Sequence, residues 1–131
     1  MLVVDGANVV GSVPDGWWRD RAGAAGRLHA GLVGSVLGFD RVVLVLEGKA
    51  RAGVPEGVVD AVATVHAPGL GDDEIVARCA ALAASGAEVT AATADRALLE
   101  RLAPYGVRTM GPRELRDQLV AAQGRDRPGE S

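Results

Sequence analysis

The stretch that decides the fold is Leu2–Ser12, "LVVDGANVVGS". Three apolar residues end at Asp5, and the turn-forming residues Gly6 and Asn8 follow before a second apolar pair. A short apolar run without alternation is typical of a strand that is buried on both faces of a sheet. We therefore predict a first strand over Met1–Asp5 that ends in an acid.

The composition is that of one globular domain. The chain has 131 residues, of which 48% are apolar and 24% charged, with a net charge of −3 and one cysteine, Cys79. A single cysteine excludes a disulfide framework and fits a reducing compartment. The apolar run at the amino terminus is too short for a signal peptide or a membrane span, so we expect a cytoplasmic protein without a membrane partner. The charge does not exclude nucleic acid, because a basic rim can surround an acidic centre.

Further apolar runs alternate with segments of helical periodicity, which predicts an α/β fold. We expect a three-layer α/β/α sandwich around a mostly parallel sheet of about five strands. The domain is predicted to cover residues 1–122, and the polar segment 123–131 is predicted to be a disordered tail. The other predicted strands are Arg41–Leu46, Val59–His66, Glu88–Thr93 and Val107–Met110. The predicted helices are Trp17–Leu37, Asp73–Ser85, Arg96–Ala103 and Arg113–Ala122, and Lys49–Glu56 is predicted to be a loop.

Acids follow the strands at the edge where such sheets bind ligands. Asp5 ends the first strand, Glu47 follows the second, and Asp95 lies two residues after Thr93, which ends the fourth. The segment after the third strand, "GLGDDE", adds Asp72, Asp73 and Glu74. Clustered carboxylates without cysteine or histidine partners suit one or two Mg²⁺ or Mn²⁺ ions, which could hold a phosphodiester and activate water.

The ordered motifs "VVDGANVVGS", "GDDEIV" and "TADRALLERL", with Asp20 between the first two, resemble the NYN branch of the PIN-like ribonucleases, particularly its YacP-like members. The resemblance implies metal-dependent endonuclease activity on RNA, with 5′-phosphate and 3′-hydroxyl products. It also implies a set of catalytic residues and metal ligands. The catalytic set is Asp5, Asn8, Asp20, Asp73 and Asp95, and the ligands are Asp5, Asp73 and Asp95, with Asp72 as the alternative to Asp73. Similar proteins often have aspartate where this chain has Glu47, so Glu47 is placed at the edge of the site in a supporting role. Glu74 and Thr93 are also candidates for supporting roles.

Most of these residues also have a purely structural interpretation. Asp73 and Asp95 are suited to begin helices, and Asp20 to a solvated helix face. The candidates to bind RNA phosphates are five cations, of which the first three are favoured because they follow strand ends: Lys49, Arg51, Arg96, Arg19 and Arg21. Each of them can also be an ordinary surface charge. Trp17 and Trp18 could stack on unpaired bases or pack on the body of the protein. We expect His29, His66 and Cys79 to be structural.

Other classes of protein with acids at strand ends fit less well. Phosphatases of the haloacid dehalogenase type need a second aspartate where this chain has Ala7, and the sequence contains no phosphate-binding P-loop or dinucleotide-binding fingerprint. A response-regulator receiver needs an acidic pair at the first strand, where only Asp5 is present. The main alternative is a non-catalytic NYN-like module that binds RNA or another protein. RNA is the expected partner; recruitment by a ribosome or another protein, and formation of a homodimer, are left open.

Overall fold

A six-stranded sheet forms the centre of the protein. The computed structural model describes residues 1–35 and 37–125. The sheet has the order β3-β4-β2-β1-β5-β6, in which β3 alone is antiparallel to its neighbour. The predicted mostly parallel α/β sheet is confirmed, with six strands rather than about five. The strands are β1 (Leu2–Asp5), β2 (Val42–Leu46), β3 (Gly57–Val59), β4 (Val62–His66), β5 (Thr90–Ala92) and β6 (Arg108–Met110).

The third predicted strand, Val59–His66, is wrong because the chain reverses within it. Val59 ends β3 and pairs with Val62, the first residue of β4. Asp60 lies in the turn between them with a φ of 52°. Aspartate enters this left-handed region more readily than most residues do, and it permits a two-residue hairpin inside an otherwise apolar run.

Helices cover both faces of the sheet and give the predicted three layers. The helices are α1 (Gly6–Val10), α2 (Arg21–Val33), α3 (Gly71–Ala84), α4 (Arg96–Leu102) and α5 (Pro112–Arg125), and short 3₁₀ segments occupy Trp17–Arg19, Gly48–Gly53 and Ala103–Tyr105. Leu2, Val4 and Leu44 pack in one core with α1, α2 and α5. Val3 and Val43 point to the opposite face and pack with α3 and α4. The alternation along fully buried strands therefore divides the apolar side chains between two cores.

The predicted helix Trp17–Leu37 is shorter and is interrupted. Asp20, with φ −147°, separates the 3₁₀ segment Trp17–Arg19 from α2, and its carboxylate accepts the Gly23 N–H at 2.9 Å. An aspartate in this position caps a helix rather than continuing one. The helix ends at Val33, and Val36 lies outside the described residues.

The other helices also differ from the prediction, and α4 does so only by ending at Leu102 instead of Ala103. Helix α1 was not predicted; it follows β1 directly because Gly6 allows close approach to β2, where a Cβ would lie 2.6 Å from the Val45 carbonyl oxygen. Helix α3 begins at Gly71 instead of Asp73. Helix α5 begins at Pro112 and continues to Arg125, three residues beyond the predicted domain end, and residues 126–131 of the predicted tail lie outside the described part. Within the described part, no helix has the length and apolar character needed to cross a membrane.

Candidate active site

Asp5 is a buried acid at the carboxyl end of the central strand β1, with only 6% of its surface exposed. Its Oδ2 accepts a hydrogen bond from the Thr93 hydroxyl at 2.9 Å, and its Oδ1 accepts the Asn8 N–H at 3.3 Å. The second contact makes Asp5 the cap of α1. Bonds from two directions fix the orientation of this carboxylate before any ligand binds.

The segment Thr93–Asp95 is joined to the β1–α1 turn by a small hydrogen-bond network. Thr93 Oγ1 donates to Asp5 and accepts the Asp95 N–H at 3.2 Å. Asn8 Oδ1 accepts the Ala94 N–H at 2.8 Å, and Asp95 Oδ1 accepts the Leu98 N–H at 3.2 Å as the cap of α4. The network brings Asp5, Asn8, Thr93 and Asp95 together. Because its carbonyl oxygen is engaged, Asn8 has its side-chain N–H groups to offer to a ligand.

Glu47 joins the end of β2 to the beginning of α3. Its Oε2 accepts the Gly71 N–H at 3.1 Å, while Leu70, the residue before α3, provides no side-chain cap. A Cβ on Gly71 would lie 3.2 Å from Glu47 Oε1. Glu47 therefore caps α3 from another element and holds the helix start, which contains Asp72, against the sheet.

Burial and mutual repulsion raise the pKa of two of these acids. Burial raises the pKa of Asp5, the bonds from Thr93 and Asn8 lower it, and the charges of Asp72 and Glu47 raise it further. The pKa of Asp72 is raised by desolvation and by the charges of Asp95 and Glu47, with partial relief from Arg101. Four acids from four neighbouring parts of the sheet edge thus interact electrostatically, and a bound cation would offset their repulsion.

The acidic doublet at the start of α3 is divided between the cluster and the surface. Asp72 interacts with the other acids, whereas the side chain of Asp73 is 66% exposed and forms an ion pair with Arg101 at 2.9 Å. Adjacent helical residues point about 100° apart, which explains the division. Glu74 is paired with Arg78 at 3.0 Å along the helix surface. Among the three, the geometry favours Asp72 as the site residue.

Asp20 and the predicted RNA-binding residues are exposed, and their side chains take no part in the hydrogen bonds of the acid cluster among the described residues. Asp20 is exposed and bonds to the first turn of α2. The five cations are all exposed: Arg19 and Arg21 flank Asp20, Lys49 and Arg51 lie in the 3₁₀ segment after β2, and Arg96 begins α4. The ring of His66 contacts the Val54 carbonyl oxygen at 2.7 Å rather than the acids. Burial raises the pKa of Cys79 to about 11, as expected for an unreactive core thiol.

The chemistry of these side chains fits a hard divalent cation. In residues 1–35 and 37–125, no three acidic, histidine or cysteine side chains converge closely enough to hold a metal ion by themselves. Mg²⁺ does not need such a cage, because it commonly binds through one or two carboxylates and retains waters that substrate phosphates can replace. The buried Asp5 carboxylate and Asp72, which interacts electrostatically with Asp5 and with Asp95, provide donors of that type.

Two arginines of the site region were not identified from the sequence. Arg101 pairs with Asp73 beside the acids. Arg116 of α5 donates to the Val9 carbonyl oxygen at 2.9 Å from Nη2, and to the Ser12 hydroxyl at 2.9 Å from Nε. It thereby satisfies the end of α1, the helix that contains Asn8. Neither contact is local in sequence, and no motif marks these positions.

Comparison with solved structures shows the same fold in a bacterial protein. The crystal structure of Rae1 (YacP) from Bacillus subtilis matches with a TM-score of 0.75 at 20% identity, over 95% of this chain and 76% of that chain. Its W164L mutant matches with a TM-score of 0.73 at 23% identity, over 95% and 77%. No protein-family model and no curated protein matches the sequence. The α/β/α, PIN-like fold expected from the sequence is therefore confirmed as a YacP-like fold.

Proposed function

We propose that this protein is a metal-dependent endoribonuclease that hydrolyses RNA phosphodiester bonds at the carboxyl edge of its sheet. The observation that carries the proposal is the buried, oriented Asp5 carboxylate, whose pKa is raised by burial and by Asp72 and Glu47. Buried acids with like-charged neighbours are typical of functional sites. The YacP-like fold and the resemblance to the NYN ribonucleases support the same conclusion.

Each side chain has a role that follows from its position. Asp5, Asp72 and Asp95 would hold Mg²⁺ or Mn²⁺, which supplies charge stabilisation at the phosphate and lowers the pKa of water. Thr93 orients Asp5 and joins it to the Asp95 backbone. The side-chain N–H groups of Asn8 are placed to donate to a phosphate oxygen. The surrounding exposed cations, Arg19, Arg21, Lys49, Arg51 and Arg96, would bind the RNA backbone.

A non-catalytic module that binds RNA or a protein is the second candidate. It is favoured by the hydrogen bonds that already occupy oxygens of Asp5, Glu47 and Asp95, and by the lack of a complete metal-ligand group in the described residues. The same fold would then serve recognition alone. Recruitment to a ribosome or another protein and formation of a homodimer are compatible with both candidate functions.

Cleavage of RNA by purified protein tests the proposal. Asp5→Asn keeps the size of the side chain but removes its charge and leaves one acceptor oxygen in place of two. We expect cleavage in Mn²⁺ to be lost while the fold, checked by circular dichroism, is retained. Glu88→Gln is the matched control, because Glu88 is exposed and precedes β5 at the opposite edge of the sheet. Cleavage by wild type and Glu88→Gln but not by Asp5→Asn supports the proposal. Equal cleavage by Asp5→Asn would refute it.

A further inference from the structure

Trp18 is an exposed aromatic side chain that belongs to neither hydrophobic core. Half of its surface, 50%, is accessible, whereas its neighbour Trp17 packs against the core beneath α2 and α5. The other exposed large apolar side chains of the described residues belong to other segments: Val58, Val59, Leu70, Tyr105 and Val120. Among the exposed large apolar side chains of the described residues, Trp18 is the only one in residues 11–20.

The indole of Trp18 is held by its neighbour. The two tryptophan rings are 5.9 Å apart and perpendicular, at 86°. The guanidinium of Arg21 lies 5.5 Å from the centre of the Trp17 ring, and a Cβ on Gly11 would lie 3.7 Å from the edge of that ring. Trp17 is thus fixed between α1 and α2 and supports Trp18 in an edge-to-face contact. An aromatic side chain held in this way loses little conformational entropy when a ligand stacks on it.

Trp18 lies at the same edge of the sheet as the acids. It lies in the 3₁₀ segment Trp17–Arg19, two residues before α2 begins at Arg21. The first turn of α2 packs against the 3₁₀ segment after β2, because a Cβ on Gly53 would collide with the Ala22 carbonyl. Arg19 and Arg21 are exposed beside Trp18, and Lys49 and Arg51 lie in the packed 3₁₀ segment. Asp20 and Asp15 are the acids of this region, and the Asp20 carboxylate is engaged by Gly23.

We propose that Trp18 is a platform on which an unpaired RNA base stacks, with Arg19 and the cations of the 3₁₀ segment binding the adjacent phosphates. This inference rests on the proposed function and specifies how its substrate is bound. An exposed ring with cations on its flanks is the combination that binds single-stranded nucleic acid without a sequence code. A duplex keeps its bases stacked on one another, so it cannot use the platform.

Binding of a labelled single-stranded RNA of about ten nucleotides tests this inference, with anisotropy as the readout and EDTA present so that no cleavage occurs. We expect Trp18→Ala to raise the Kd roughly 5- to 150-fold and Trp18→Phe to raise it less, because a smaller ring remains. Tyr105→Ala is the matched control: Tyr105 is also an exposed aromatic, but it precedes β6 at the opposite edge, and its removal should leave the Kd unchanged. The same RNA annealed to its complement should bind more weakly to wild type and should be insensitive to Trp18→Ala.

The outcomes separate this inference from the proposed function. A weakened Trp18→Ala variant together with normal binding by the Tyr105→Ala control supports the platform, even if the wild type cleaves no RNA with any metal ion. Equal single-strand binding by wild type and folded Trp18→Ala overturns it. Lack of RNA binding by wild type also overturns it.

Discussion

The predicted role of Glu47 at the start of α3 depends on the length of its side chain rather than on its charge. Its bond to the Gly71 N–H joins the residue after β2 to the start of α3, and Gly71 is buried, so water can replace the lost acceptor only in part. Glu47→Asp retains the charge but shortens the side chain by one carbon–carbon bond, roughly 1.5 Å, which breaks the contact. Glu47→Gln retains a carbonyl acceptor at the same reach and removes the charge.

The two substitutions should change the free energy of unfolding by different amounts. A buried N–H that loses its partner costs about 1–3 kcal/mol, so Glu47→Asp should lower the free energy of unfolding by that amount. For a chain of this length the melting temperature should fall by roughly 3–15 °C. Glu47→Gln loses a favourable interaction with the helix dipole of about 0.3–1 kcal/mol, but it also relieves repulsion with Asp5 and Asp72. Its net effect should be close to zero.

Urea unfolding followed by circular dichroism in EDTA measures both variants, with Glu88→Asp as the control for the substitution itself. Mn²⁺ binding gives a second readout, because Asp72 follows Gly71 directly and shifts when the helix start is released. Affinity should therefore fall more in Glu47→Asp than in Glu47→Gln. The opposite order, with Glu47→Gln the more damaging in both assays, would contradict the capping role and make Glu47 a metal ligand.

Three further predictions follow from the contacts around the site. The pKa of Asp5 is raised above its usual 3.8 on folding, so its contribution to stability is present at low pH and is lost as the pH rises through the raised pKa. In EDTA, the free energy of unfolding of Asp5→Asn minus that of wild type should therefore be larger at pH 7 than at about pH 3, and an equal or smaller difference at pH 7 would show that burial does not penalise the charged carboxylate. Gly6→Ala should lower the free energy of unfolding, measured in urea, by about 1–3 kcal/mol, because the new methyl group would overlap the Val45 carbonyl. Gly69→Ala, with open space around the new methyl group, should leave it unchanged, and similar values for the two variants would contradict the close packing at Gly6. Arg116→Met should lower the free energy of unfolding by roughly 1.5–3 kcal/mol through loss of the bonds to Val9 and Ser12. Arg113→Met, on the exposed side of α5, is the control, and equal unfolding of the two variants would contradict the role of these bonds.

The sheet was predictable where burial leaves a strong pattern. The runs that became β1 and β2 are apolar throughout because both faces are covered, and the order of strands and helices then gives the layers. The hairpin at Asp60 was not predictable in the same way, because the apolar run continues through the turn and only the φ of one residue marks the reversal. Helix α1 was missed because five residues with a glycine at the start provide no periodicity.

The candidate site was predictable as a location but not as a set of contacts. The positions of Asp5 and Asp95 follow from their place after strands, which brings them to one edge. The choice between Asp72 and Asp73 depends on the rotation of α3, which Glu47 fixes from another strand. Likewise, the separation of Asp20 from the acids depends on the helix that it caps, and the contacts of Arg116 and Arg101 join elements that are distant in sequence.

Calorimetric titration of Mn²⁺ into metal-free wild type, Asp5→Asn and the Glu88→Gln control tests the central claim most directly. We expect binding by wild type and Glu88→Gln that is lost in a folded Asp5→Asn variant, because the buried carboxylate at the end of β1 holds the ion among acids that repel one another. Equal binding by Asp5→Asn, or no binding by folded wild type with a short RNA present to contribute its phosphates, would contradict it.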